Sequence, residues 1–133
     1  RVVMDYAHTP DAYEKVLGTL KELINKGNKI YGIFGAGGDR DKSKRPKMAK
    51  IAEIFCCKCF ITPDNPRHED INKINNDIVS GFTKDCYKVF YDREEALKIL
   101  FSIRLEINFA LASANLPTAI IVDNFRVLII SCN

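Results

Sequence analysis

Short apolar runs alternate along this chain with longer stretches in which apolar residues recur every three or four positions. Val2, Val3 and Met4 make the first run, which ends at Asp5. Thr9-Pro10 then supplies an N-cap followed by proline at the first helical position, and Tyr13, Val16, Leu17, Leu20, Leu23 and Ile24 keep helical spacing as far as Gly27, a natural stop. Residues 29–34 read as a second strand, interrupted only by Gly32 and apolar enough to be covered on both faces. Pro46 is expected to open a second helix with Met48, Ile51, Ala52 and Phe55 on one face, followed by a third strand over 59–62. Asp70 caps a third helix that buries Ile71, Ile74, Ile78 and Phe82 and stops near Gly81. Residues 87–91 form the fourth strand, and Asp92 with Glu95 starts a fourth helix through Ala96, Leu97, Leu100 and Phe101.

This alternation predicts βαβ units and a Rossmann-like α/β domain, a three-layer sandwich with a mostly parallel sheet. Ligands of such sheets bind beyond the carboxyl ends of the strands. Three polar loops follow strands there, over residues 5–10, 35–45 and 64–69, and they are expected to converge on one rim. Composition narrows the function classes: 133 residues, 47% hydrophobic and 28% charged, suit one globular domain, and a net charge of +3 gives no argument for nucleic acid. No apolar run approaches the roughly 18–20 residues of a membrane span. Five cysteines, at 56, 57, 59, 86 and 132, are odd in number and clustered, which points to a reducing, cytoplasmic setting rather than a disulfide framework. The spacing of Cys56 and Cys59 lacks the second pair that structural zinc needs, so inert core thiols are expected and no metal.

The glycine-rich loop satisfies neither phosphate fingerprint: Gly-x-Gly-x-x-Gly would need glycine where Arg40 stands, and no Gly-x-x-x-x-Gly-Lys occurs. It offers instead Arg40, Lys42, Lys44 and Arg45 to a carboxylate or phosphate, or else a solvated basic surface. Asp64-Asn65-Pro66-Arg67 joins an anion, an amide and a cation around a stiff proline. An amino acid needs this set, because its ammonium seeks a carboxylate or amide oxygen and its carboxylate a guanidinium. The alternative is an Asx-Pro turn with surface charges. Asp5 and His8 can meet a hydroxyl or phosphate, although Asp5 can equally cap its own loop.

Three ordered motifs resemble the C-terminal domain of the Mur ligases, and within that family the MurE branch. They are Asp5-Tyr6-Ala7-His8-Thr9-Pro10-Asp11-Ala12, Gly35-Ala36-Gly37-Gly38-Asp39-Arg40-Asp41-Lys42-Ser43-Lys44-Arg45-Pro46, and Asp64-Asn65-Pro66-Arg67. The resemblance implies an ATP-dependent ligase that joins meso-diaminopimelate or lysine to UDP-MurNAc-L-Ala-D-Glu through an acyl phosphate, in peptidoglycan biosynthesis. It further implies that Asp5 and His8 lie on the ATP side, with ATP and Mg held mainly by a central domain, and that Arg40, Asp64, Asn65 and Arg67 bind the amino acid. Arg at position 67 is the family's mark for meso-diaminopimelate, whose second carboxylate needs a cation. No catalytic residue is expected within this chain. Its implied partners are the amino acid, the UDP-MurNAc-dipeptide and the other ligase domains on a separate chain, with neither nucleic acid nor membrane among them.

Two departures from the family set further expectations. The UDP-substrate and P-loop ATPase domains that the family places ahead of this one are expected to be missing, and no Gly-Lys-Gly-His-Glu occurs between Asn108 and Asn133. Residues 1–108 are therefore expected to be the Mur ligase C-terminal domain, and 109–133 a divergent tail, out of frame or replaced. Within the tail, residues 119–122 can form a strand and 127–130 an added strand, with a sheet edge as its expected place. The expectation is a fragment of a split or decayed ligase gene, inactive alone. A non-catalytic Rossmann-like module binding an amino acid or nucleotide, or a structural remnant, is the alternative.

Overall fold

The structure, a computed structural model, describes residues 2–24, 29–102 and 126–130. Strand β1 (Val2–Asp5) leads into α1 (Pro10–Leu23), β2 (Ile30–Phe34) into α2 (Lys44–Phe55), β3 (Lys58–Ile61) into α3 (Ile71–Val79) and β4 (Tyr87–Val89) into α4 (Arg93–Ser102), with β5 (Arg126–Ile130) last. The strands form one sheet in the order β1-β5-β2-β3-β4, and every pair is parallel. This is the Rossmann-like α/β arrangement that the alternation predicts. Among the described residues no helix is long and apolar enough to cross a membrane.

Side chains at the helix starts satisfy amides that would otherwise lack partners. Thr9 Oγ1 accepts from the Ala12 amide at 3.3 Å, Asp70 Oδ1 from the Asn72 and Lys73 amides at 2.6 and 3.4 Å, and Asp92 Oδ1 from the Glu94 amide at 2.9 Å. Helix α2 starts at Lys44, two residues ahead of the expected Pro46. A proline in the first turn costs no hydrogen bond there, because its missing N–H would have had no intrahelical partner.

The buried core draws Tyr13, Leu17 and Leu20 from α1, Ile30, Ile33 and Phe34 from β2, and Met48, Ala49 and Ala52 from α2. Phe60 and Ile61 of β3 and Ile74 and Ile78 of α3 continue it. Tyr13 packs on Phe34 with ring centroids 5.5 Å apart, and Phe60 on Phe90 at 5.6 Å, both within the range of favourable aromatic pairs. Helix α2 packs against both α1 and α3, and its small Ala49 and Ala52 suit that close position.

The expected edge place for the tail strand is corrected. Strand β5 runs between β1 and β2, where Leu128 pairs with Val3 on one side and with Gly32 on the other. The reason is legible in Val127-Leu128-Ile129-Ile130, an unbroken apolar run of the kind carried by interior parallel strands, whereas edge strands are commonly short, charged or interrupted. The strand expected over residues 119–122 lies outside the described residues.

Candidate functional site

The three polar loops leave the carboxyl ends of β1, β2 and β3, and hydrogen bonds join them into one rim. Lys44 Nζ, in the first turn of α2, donates to the His8 carbonyl at 3.0 Å and so ties the first loop to the second. The second and third loops are bound more closely. The Gly38 amide donates to the Asn65 carbonyl at 2.8 Å, Arg67 Nη1 donates back to the Gly38 carbonyl, and the Asp39 amide donates to Glu69 Oε1 at 2.6 Å. His68 Nδ1 lies 2.8 Å from Asp39 Oδ2. Only glycine permits this approach: a Cβ at Gly38 would stand 1.8 Å from the Pro66 carbonyl oxygen, and one at Gly35 2.1 Å from that of Thr62. Asp39 and Arg67 both take left-handed backbone, with φ of 53° and 49°. For a residue with a side chain that conformation costs roughly 1–2 kcal/mol and persists only where the surroundings impose it, which is common at ligand sites.

Of the four cations offered by the second loop, the structure sets one apart. Arg45 is not a loop ligand, because its side chain is fully buried. It donates to Glu69 through Nη1 at 3.1 Å and Nη2 at 3.0 Å, to Asp77 Oδ2 at 2.8 Å and to the Gly37 carbonyl at 3.0 Å. Burial works to lower the Arg45 pKa, but the hydrogen bonds to Glu69 and Asp77 outweigh it and raise it. The same contact, led by the Arg45 hydrogen bonds, holds the Glu69 carboxyl down to about 2. Lys42 reaches Glu69 at 3.1 Å, and Lys44 is bound to His8. Among the described residues, Arg40 alone of the four is exposed without a hydrogen-bond or ion-pair partner.

The other candidates divide in the same way. Asp5 Oδ1 caps its own loop by accepting from the Ala7 amide at 2.8 Å, and His8 is exposed with Nδ1 3.1 Å from the Tyr6 carbonyl oxygen. Asn65 Oδ1 accepts from the Arg67 amide at 3.1 Å, which shapes the turn that presents Arg67. Beyond its bond to Gly38, the exposed Arg67 guanidinium has donors with no partner among the described residues. Asp64 Oδ2 is buried and likewise accepts no hydrogen bond there. Its counter-charge is Arg93, at the start of α4, whose guanidinium donates to Thr62 Oγ1 at 3.3 Å and to the Pro63 carbonyl at 2.7 Å. Burial pushes the Arg93 pKa down and the charge of Asp64 opposes that shift. The rim thus holds free guanidinium donors and an unpaired carboxylate oxygen, a combination fitted to a zwitterion.

Residues 1–108 match the sequence pattern of the family described as Mur ligase, glutamate ligase domain. The chain belongs to the Mur ligase family. This Mur ligase domain is 48% identical over 97 residues to the UDP-N-acetylmuramoyl-L-alanyl-D-glutamate--2,6-diaminopimelate ligase of Rickettsia bellii, covering 73% of this chain and 20% of that protein. It is 48% identical over 96 residues to the ligase of the same name from Chromobacterium violaceum, covering 72% and 20%, and 45% identical over 102 residues to that of Chlamydia felis, covering 77% and 21%. The Mur ligase domain therefore spans about a fifth of the length of the curated relatives it matches. Among solved structures, that of a UDP-N-acetylmuramoyl-L-alanyl-D-glutamate--2,6-diaminopimelate ligase superposes with a TM-score of 0.71 at 30% identity, covering 100% of this chain and 25% of the other. Mycobacterium tuberculosis folylpolyglutamate synthase shares the fold, with a TM-score of 0.64 at 17% identity over 97% of this chain and 26% of the other.

Sequence reasoning on this Mur ligase domain did not find Glu69 or Arg93 and misplaced Arg45. The signal for Arg45 was present: with Met48, Ala49 and Ala52 it stands at helical spacing on the buried face of α2. Glu69 and Arg93 had no such signal, since their partners lie 24 and 31 residues away in the chain. The cysteines also divide, with Cys56 and Cys59 in the core and Cys57 exposed. The hydrogen bond that the Cys59 thiol shares, as donor, with Cys56, together with burial, pushes its pKa well up.

Proposed function

We propose that this domain receives meso-diaminopimelate in an ATP-dependent ligase that adds it to UDP-MurNAc-L-Ala-D-Glu in peptidoglycan biosynthesis. One observation carries the reading: Arg67 is held in a left-handed turn by Asn65 and Gly38 while keeping free donors, on the same rim as the unpartnered Arg40 and the unpaired Asp64 oxygen. Meso-diaminopimelate carries a carboxylate at each end, and each asks for a cation. Arg67 and Arg40 supply guanidinium groups that can bind carboxylates through paired N–H donors. Asp64 Oδ2 and the Asn65 side chain suit the ammonium, and Arg93 is the cation that faces Asp64.

ATP, bound mainly by other domains, supplies the phosphoryl group that activates the acceptor carboxylate. The chain's own residues fit an edge role toward that nucleotide, because Asp5 is committed to the Ala7 amide and only the exposed His8 ring is left to reach outward. The work of this domain is to bind and orient the amino-acid nucleophile, the kind of positioning that makes a bimolecular step effectively intramolecular. The cytoplasm, where the activated precursors and a reducing environment coincide, is the proposed setting.

The test is exchange of residues 2–100 into the Chromobacterium violaceum ligase in place of its matching segment, retaining that protein's own following sequence. The folded chimera is expected to incorporate meso-diaminopimelate in clear preference to lysine. A folded chimera that uses both equally, or neither, contradicts the proposal.

A further inference from the structure

Glu69 makes more contacts than the neutralisation of Arg45 demands. Arg45 already has a carboxylate in Asp77 Oδ2 at 2.8 Å, and that contact alone ties α2 to α3. Glu69 adds a second carboxylate from the third loop, and both its oxygens are used twice. Oε1 accepts from Arg45 Nη2 at 3.0 Å and from the Asp39 amide at 2.6 Å, while Oε2 accepts from Arg45 Nη1 and from Lys42 Nζ, each at 3.1 Å. The buried guanidinium fixes Glu69, and Glu69 fixes the backbone of the opposite loop at Asp39, a residue in left-handed conformation immediately before Arg40. On its own loop, the Glu69 amide donates to the Pro66 carbonyl at 2.9 Å and closes the turn that contains Arg67.

We propose that Glu69 is a positioning residue for amino-acid recognition: anchored on Arg45, it sets the backbone turns from which Arg40 and Arg67 project. The inference deepens the reading of this rim as an amino-acid site and rests on it. Without the Glu69 carboxylate the Asp39 amide loses its charged acceptor, and the left-handed turn loses the contact that offsets its intrinsic cost. The remaining fixtures of Asp39 are the His68 amide and ring, 3.4 and 2.8 Å from Oδ2. The His68 side chain is 94% exposed, so this contact works against solvent competition. Arg40 would then sample several directions, and the bound amino acid would need to order it.

The experiment compares four variants in the ligase carrying this domain, with kinetics for meso-diaminopimelate and thermal unfolding measured on each. Glu69→Gln keeps the side-chain size and removes the charge; it is expected to raise KM for the amino acid about tenfold while kcat stays within about threefold, as mispositioning of a binding group does. Asp77→Asn removes the other carboxylate of Arg45 without touching either loop, and is expected to lower Tm at least as much as Glu69→Gln with KM unchanged. If Glu69→Gln does not fold, Glu69→Asp keeps the charge, shortens the reach and is expected to raise KM in the same way. A KM change at Glu69 no larger than that at Asp77, or a parallel fall in kcat alone, overturns the inference. Arg67→Ala, assayed alongside, separates the two claims. Loss of meso-diaminopimelate use in Arg67→Ala with no KM effect at Glu69 leaves the amino-acid site standing and removes the role of Glu69, whereas unchanged use in Arg67→Ala overturns both.

Discussion

Arg45 is the residue on which the rim depends, since a fully buried guanidinium is tolerable only with its partners in place. Truncation leaves Glu69 and Asp77 without their shared cation, so Arg45→Ala is expected to destabilise the domain by about 3–5 kcal/mol, measured as a shift in the urea midpoint. Glu69 adds a pH signature. Its carboxyl is held from an ordinary 4.5 down to about 2, chiefly by the Arg45 hydrogen bonds. A depressed acid stabilises the folded state fully above its unfolded pKa, and that contribution disappears as pH falls through the folded value. The stability difference between the native domain and Glu69→Gln is therefore expected to be constant above pH 4.5 and to shrink between pH 4.5 and about 2; a difference that stays constant down to pH 2 would show that the Glu69 charge contributes nothing.

At the scale of elements, caps and close approaches explain both what the sequence revealed and what it hid. Thr9, Asp70 and Asp92 are local signals, each bonding to amides within three residues, and they placed three helix starts correctly. Asp70→Ala is expected to cost about 1 kcal/mol in thermal unfolding without moving the rim. The start of α2 was less legible because Ser43 makes no side-chain cap bond, and Pro46, a strong local marker, lies inside the first turn rather than at its beginning. The rim itself was legible as three polar loops after three strands, but not as a set of partners. Gly38 shows why: its small size matters only because Pro66, 28 positions along the chain, approaches so closely. Gly38→Ala is expected to separate the second and third loops, with loss of the amide shifts that mark the Gly38–Asn65 and Asp39–Glu69 hydrogen bonds in NMR spectra, while the sheet resonances persist.

For the whole molecule, the position of β5 changes what the tail is for. A strand between β1 and β2 joins the outer strand β1 to the sheet and completes the ladders of β2, so its removal detaches β1 and exposes an edge of β2. Deletion of residues 124–133 is therefore expected to abolish cooperative thermal unfolding, opposite to the small effect an edge strand would have. The apolar run over residues 127–130 marks an interior strand, but its partners are the first two strands, far away in the chain, so nothing local says between which strands it runs. The sheet in turn carries the three loops at the carboxyl ends of β1, β2 and β3, and Arg67 meets Gly38 there. The central claim, that this rim recognises the two carboxylates of meso-diaminopimelate, is tested most directly by Arg67→Ala in the chimeric ligase. A charge-assisted guanidinium–carboxylate contact in a partly closed site is worth about 2–4 kcal/mol, so kcat/KM for meso-diaminopimelate is expected to fall roughly 30-fold to 1000-fold while that for lysine changes little. Equal, small effects on the two amino acids would contradict the account.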